Sequence, residues 1–174
     1  MTDQRAERPG RLVVVAGVSG SGKSTVGERL AGRLEVPYAD ADAFHPPENI
    51  AKMSAGTPLT DEDRRPWLDA IADWLGRHAE RGGVVTSSAL KRRYRDRLAA
   101  GAPGRVFFLL LDGSEELIAR RLERREGHFM PRSLLRSQFE TLEPLQPDEH
   151  GTSVPVDGTP DEVTTRALAA LGAG

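Results

Sequence analysis

Gly17-Val18-Ser19-Gly20-Ser21-Gly22-Lys23-Ser24 decides the fold of this chain. The stretch satisfies G-x-x-x-x-G-K-[ST], and its neighbours make the pattern specific. Immediately before it, Leu12 to Ala16 is a short Val-rich run bounded by glycine, which predicts a strand buried on both faces. Immediately after it, Val26, Leu30 and Leu34 recur at helical spacing, predicting a helix over Ser24 to Leu34. A strand, a glycine-rich turn and a helix in that order form a cradle for phosphate. The glycines let successive backbone N–H groups turn inward, and the helix N-terminus adds partial positive charge. Lys23 is placed to reach the β- and γ-phosphates of ATP, and the Ser24 hydroxyl to ligate Mg²⁺. Gly17, Ser19, Gly20, Ser21, Gly22, Lys23, Ser24 and Thr25 are the expected ATP-binding residues.

Outward from the cradle, apolar runs and helix-like stretches alternate to the end of the chain. Further strands are expected at Val36 to Ala39, Val84 to Thr86, Val106 to Leu111 and Thr152 to Val156. A Pro-broken loop, His45-Pro46-Pro47, leads into a short helix over Glu48 to Met53. Thr60 caps a longer helix whose first turn is acidic, running as far as Arg81, with Pro66 confined to a first turn or a break. Gly82-Gly83 stops it. Helices are also expected over Lys91 to Ala100, Ser114 to Glu126, Ser133 to Leu142 and Pro160 to Leu171. Five buried strands separated by helices imply an α/β fold, a five-stranded parallel sheet flanked by helices on both faces. One domain over 11–174 is expected, after a polar, flexible leader over 1–10.

The chain's 174 residues suit one compact domain with a real core. A net charge of −2 gives no support to a general nucleic-acid or membrane-surface binder. No stretch has the apolar length of a signal peptide or membrane span. The absence of cysteine excludes disulfides, thiolate metal sites and thiol nucleophiles, and fits a cytoplasmic protein.

No Asn-Lys-x-Asp guanine-reading motif accompanies the cradle, which argues against a GTPase, and the chain is short for a motor. A kinase reading gains from Asp40-Ala41-Asp42, two acids at the end of the second strand, where ligands of open α/β sheets bind. On an extended backbone residues two apart point the same way, so both carboxylates face one cleft. One can hold Mg²⁺ through water while the other accepts a proton from the acceptor hydroxyl. Asp112 ends an apolar run as a metal-binding acid would, yet Asp112-Gly113-Ser114 also makes a turn and helix cap, the reading preferred here.

Several blocks resemble the bacterial-type gluconokinases, a P-loop kinase family related to shikimate kinase. Besides the cradle these are Asp40-Ala41-Asp42-Ala43-Phe44-His45-Pro46, Asn49-Ile50-Ala51-Lys52-Met53, and Gly56-Thr57-Pro58-Leu59-Thr60-Asp61-Glu62-Asp63-Arg64-Arg65-Pro66-Trp67-Leu68. Ser88-Ala89-Leu90-Lys91, Tyr94-Arg95-Asp96, Gly127-His128-Phe129-Met130-Pro131 and Ser137-Gln138-Phe139-Glu140-Thr141-Leu142-Glu143 follow in order. The resemblance implies MgATP-dependent phosphorylation of the 6-hydroxyl of D-gluconate to 6-phosphogluconate, a P-loop kinase fold with a mobile lid, and a homodimer as an option.

Several roles follow from that resemblance. Asp42 is the expected base and Asp40 steadies Mg²⁺ through water. A substrate carrying a carboxylate and a row of hydroxyls needs a cation and a fan of polar groups. His45, Lys52, Arg64 and Lys91 are the expected gluconate-binding residues, with the carboxylate near Arg64 or Lys91. Lys23, Lys52 and Lys91 are the only lysines in a chain that otherwise uses arginine, so each is expected to do something arginine cannot. His45 is equally readable as bonding the adjacent turn. Trp67 and Trp74, seven apart on one helix face, read as core. Arg120, Arg121, Arg124 and Arg125 form i,i+4 like-charge pairs, readable as a solvated face or as a lid over about 120–135. The resemblance assigns Arg121 to the adenine or phosphate side and Arg125 to the transition state, with Gly127-His128 as hinge. Asp157-Gly158-Thr159-Pro160 is expected to border the adenine. Ala41 stands where the family often has glycine, and Ser87 where it often has cysteine. Another small-molecule kinase of this fold, or a non-catalytic ATP sensor, remains as an alternative.

Overall fold

The computed structural model describes residues 11–124 and 131–172. The leader expected over 1–10 lies outside the described residues, as does the 125–130 part of the expected lid. The central strand β1 (Leu12–Ala16) is buried throughout. It pairs in parallel with β3 (Gly83–Thr86) on one side and β4 (Val106–Asp112) on the other, so that Val14 stands between Val85 and Phe108. The edge strands β2 (Tyr38–Asp40) and β5 (Gly151–Pro155) complete a parallel sheet of order β2-β3-β1-β4-β5.

A strand covered on both faces cannot alternate polar and apolar residues, and β1 does not. Val13 and Val15 face one layer with Val26 and Leu30 of α1 (Lys23–Leu34) and Val163, Ala167 and Leu171 of α7 (Pro160–Gly172). Leu12, Val14 and Ala16 face the other, with Leu68, Ile71 and Leu75 of α3 (Asp61–Arg77) and Leu98 of α4 (Arg92–Ala99). Three more helices complete the described fold: α2 (Pro47–Ser54), α5 (Glu115–Arg124), which adds Ile118, Ala119 and Leu122 to the core on the α1 side, and α6 (Arg132–Thr141), which adds Leu135. No helix among the described residues is long and apolar enough to cross a membrane.

Two expectations are corrected. The second strand begins later than Val36, because Glu35 takes a left-handed conformation (φ 57) to close α1 and the chain pairs with β3 only from Tyr38. The helix after Thr60 runs unbroken through Pro66 and ends at Arg77. A capping box between Thr60 and Asp63 fixes the turn before the proline, and the Trp67 indole donates to the Ala41 carbonyl just after it at 2.7 Å. Those anchors offset the single backbone hydrogen bond that proline removes. At the far end His78 stacks on Trp74, 4.0 Å between ring centroids, and its backbone N–H closes the last turn.

Candidate active site

The cradle sits where β1 turns into α1, and its backbone demands glycine. Gly20 (φ 81) occupies a conformation that side chains rarely adopt, and a Cβ there would lie 2.7 Å from Leu122 of α5. Gly22 (φ 95) is the N-cap of α1. Lys23 opens that helix and bends back over the loop, donating to the carbonyls of Gly17 at 2.9 Å and Val18 at 3.1 Å. Burial of its ammonium lowers its pKa from 10.5 to about 8, against the opposing pull of Asp42 and Asp40.

The loop separates two cavities. A cleft of about 860 Å³ brings Ser19, Lys23 and Ser24 together with Asp40, Asp42, His45 and Arg64. A smaller cavity of about 270 Å³ lies on the other side, lined by Ser21, Thr25, Arg121, Arg124, Gly158 and Pro160. Gly20 and Gly22 line both.

The two acids reach the cleft by a route the strand period does not describe. Asp40 ends β2, but Asp42 lies in a 3-10 turn, Ala41–Phe44, rather than on an extended strand. The turn forms because the Asp40 carboxylate caps it, accepting from the Asp42 backbone N–H at 2.9 Å. The other Asp40 oxygen accepts from the Ser24 hydroxyl at 3.4 Å. A hydroxyl and a carboxylate at this spacing are hard oxygen donors suited to Mg²⁺, which keeps much of its shell as water and phosphate oxygen. Among the described residues no group of three or more His, Cys, Asp or Glu is placed to hold a metal ion. The Ser87 hydroxyl, buried in the cleft wall, has no hydrogen-bond partner among the described residues.

On the acceptor side, His45 lies flat on Trp67, 4.4 Å between centroids at an interplanar angle of 7°. Its Nδ1 stands 3.4 Å from the amide nitrogen of buried Asn49. Burial lowers its pKa below the ordinary histidine value, with Arg64 adding to the effect and Asp42 opposing it. His45 thus contacts its own turn and also lines the cleft. Trp67 belongs to the core as expected and also floors the site. Arg64 faces the cleft with its guanidinium 5.7 Å from the Tyr94 ring centroid, and the Tyr94 hydroxyl donates to Asp61 at 2.6 Å.

Lys52 and Lys91, expected from the sequence as substrate ligands, do not line the cleft among the described residues. Lys52 pairs with both oxygens of Asp63, at 2.8 and 2.9 Å, and so ties α2 to the first turn of α3. That hydrogen bond, with the Thr60 backbone N–H next, lowers the Asp63 pKa to about 2. Lys91 precedes α4, its Nζ 5.8 Å from the centroid of the Tyr94 ring, which Arg93 also approaches. Besides Lys23, the cation lining the cleft among the described residues is Arg64.

On the smaller cavity, the Arg121 guanidinium donates to the Val156 carbonyl and, at 3.4 Å, to that of Gly158. Arg121, Gly158 and Pro160 thus line the same cavity. Arg125 and the Gly127-His128 hinge lie outside the described residues. Asp112 is exposed at the end of β4 and lines neither cavity; the helix cap is Ser114, whose hydroxyl accepts from the Leu117 N–H at 3.1 Å.

Several cleft residues were given no role from the sequence, namely Leu59, Thr86, Ser87, Ser88 and Gln138, nor was Asn49, which supports His45. Thr86 to Ser88 follow a strand end, the position where such sheets bind ligands. Gln138, on a helix far along the chain, carried no local signal beyond its block.

A model of the AAA domain family matches residues 12–145. The chain is 50% identical over 155 residues to the gluconokinase of Gluconobacter oxydans, covering 88% of this chain and 86% of that one. Its fold is similar to the crystal structure of a gluconokinase from Sinorhizobium meliloti, with a TM-score of 0.88 and 49% identity over 95% of this chain and 94% of the other. Shikimate kinase from Aquifex aeolicus shares the fold at a TM-score of 0.62 and 18% identity, over 92% of this chain and 95% of that one.

Proposed function

We propose the following function on the premise that this chain belongs to the gluconokinase family: it transfers the γ-phosphoryl group of ATP to the 6-hydroxyl of D-gluconate, giving 6-phosphogluconate and ADP. One observation carries the reading. The wall facing Lys23 gathers a carboxylate free to take a proton, Asp42, and a cation able to hold a carboxylate, Arg64, in one cleft.

The nucleoside lies in the smaller cavity beside Arg121, and the phosphates cross Gly20 and Gly22 into the larger one. Lys23 meets the β- and γ-phosphates. Ser24 and, through water, Asp40 would hold Mg²⁺, which supplies charge neutralisation to the phosphate chain when bound. Gluconate lies opposite with its carboxylate on Arg64, a charge-assisted pairing that the Tyr94 ring and Asp61 hold in place. His45, kept neutral by burial, offers a ring N–H or lone pair to a substrate hydroxyl. Asp42 accepts the 6-hydroxyl proton as that oxygen attacks the γ-phosphorus and the bond to the β–γ bridging oxygen breaks. Arg125 keeps the role expected from sequence, neutralising charge on the transferred group. Positioning and electrostatics carry most of the rate in such a transfer.

The test is ADP release from MgATP with D-gluconate, run beside shikimate and nucleoside monophosphates, with the product identified. Gluconate-dependent release yielding 6-phosphogluconate is expected. Turnover of another acceptor alone would overturn the substrate assignment. Arg64→Ala should raise the gluconate KM at least tenfold, the effect of losing one hydrogen-bonded charge pair, and leave the ATP KM unchanged.

A further inference from the structure

We propose that the Ser19 hydroxyl donates a hydrogen bond to the transferred phosphoryl group, and that Gln138 is the positioning residue that aims it. The inference rests on the kinase reading above and deepens it. Gln138 on α6 and Ser19 in the phosphate loop are 119 residues apart in sequence, yet two hydrogen bonds join them. The Ser19 backbone N–H donates to Gln138 Oε1 at 2.7 Å, and Gln138 Nε2 donates to Ser19 Oγ at 3.0 Å.

Chemistry fixes the direction of both bonds. A backbone N–H can only donate, so the amide oxygen must face it and the amide nitrogen must face Ser19 Oγ. That nitrogen can only donate as well. The serine oxygen is therefore an acceptor in this contact, and its own proton has to be given elsewhere. A hydroxyl held this way is a directed donor rather than a free rotor.

The cavities say where the proton points. Ser21 lines only the nucleoside-side cavity and Ser19 only the acceptor-side cleft, while Gly20 and Gly22 between and beyond them line both. A phosphate chain crossing the loop from one cavity to the other thus meets Ser19 at its γ end. A donor fixed there stabilises charge on the oxygens of the transferring group without reorganising during the reaction. The amide is braced in turn, because Glu115 of α5 pairs with Arg132 at 3.3 Å and Arg136 at 3.6 Å on the helix that carries Gln138.

The experiment is calorimetric titration without gluconate, using MgADP and the Mg²⁺ complex of the β,γ-imido analogue of ATP. Wild type, Ser19→Ala, Gln138→Leu and the double variant are compared, each checked for folding by its melting curve. Each single variant should weaken the ATP analogue roughly tenfold, the loss of one hydrogen bond to a charged group. ADP, which lacks the γ-phosphate, should bind within about twofold of wild type on the same reasoning. The double variant should be no weaker than Ser19→Ala, since Gln138 acts through that hydroxyl. Equal weakening of both nucleotides, additive losses, or unchanged analogue binding would each overturn the proposal. Should Gln138→Leu fail to fold, Gln138→Asn and Ser19→Ala carry the same comparison. The titrations contain no acceptor, so a wrong substrate assignment leaves their outcome untouched.

Discussion

Lys23→Met should abolish turnover and at the same time make the nucleotide-free protein more stable. The Lys23 ammonium is enclosed by the loop it serves, and burial lowers its pKa from 10.5 to about 8. At about 1.4 kcal/mol per tenfold change, that gap places a penalty of about 3 kcal/mol on the charged form in the folded state. Methionine removes the charge and keeps the stem, but forfeits the hydrogen bonds to the Gly17 and Val18 carbonyls. Each of those contributes roughly 1 kcal/mol net. The balance is a gain of about 1 kcal/mol, or about 2–4 °C in Tm for a chain of this size. The sign of the pH dependence follows from proton counts. Below pH 8 the lysine is charged in both states and the penalty is complete. Between about 8 and 10.5 the unfolded chain still holds a proton that the folded chain has released, so wild-type stability rises with pH through that window. The advantage of Lys23→Met should therefore shrink between those values. Melting curves at pH 7, 9 and 10.5 test this, with and without MgADP, which should stabilise wild type more than the variant. A variant Tm at or below wild type at pH 7, or a gap insensitive to pH above 8, would refute the reasoning.

Asp42→Asn should lower kcat by roughly 10²–10⁴ while ATP still binds, as removal of a general base does; steady-state kinetics that moved only the gluconate KM would place the base elsewhere. Lys52→Ala should lower Tm while leaving the gluconate KM within about twofold of wild type, because its partner is Asp63. The Asp63 carboxyl, held at about 2 chiefly by Lys52, contributes stability that is complete above its unfolded value of 3.8 and is lost as pH falls through about 2, so Asp63→Asn should melt early at pH 7 and converge with wild type in acid. Arg95→Leu should cost about 3–5 kcal/mol by stranding its buried partner, whereas Arg95→Leu with Glu149→Leu should recover much of the loss, both read from denaturant unfolding. Arg95 is wholly buried, pairs with Glu149 at 2.7 Å and holds the Ala89 and Leu90 carbonyls behind the cleft wall.

Residue by residue, the sequence determined what local chemistry can encode. The glycines, Lys23 and Ser24 specify a phosphate loop because backbone conformation, a reaching cation and a helix N-terminus are properties of consecutive residues. The unbroken apolar run of β1 announced a strand covered on both faces, and hence the parallel sheet. The acid pair was legible as a site for the same reason, although its geometry was not: a side-chain cap on a 3-10 turn, rather than the strand period, aims Asp42.

Contacts between distant segments were decided only in the tertiary structure. Lysine type alone could not place Lys52 against Asp63 or Lys91 over the Tyr94 ring, since what an ammonium meets depends on which helix packs beside it. Arg64 lines the cleft beside Tyr94 because α3 and α4 pack together there. Gln138 reaches Ser19 across most of the chain, so no spacing rule could have found the pair. Sequence carries the backbone and the residue types that make a cradle; packing decides which side chains, folded in from elsewhere, face it.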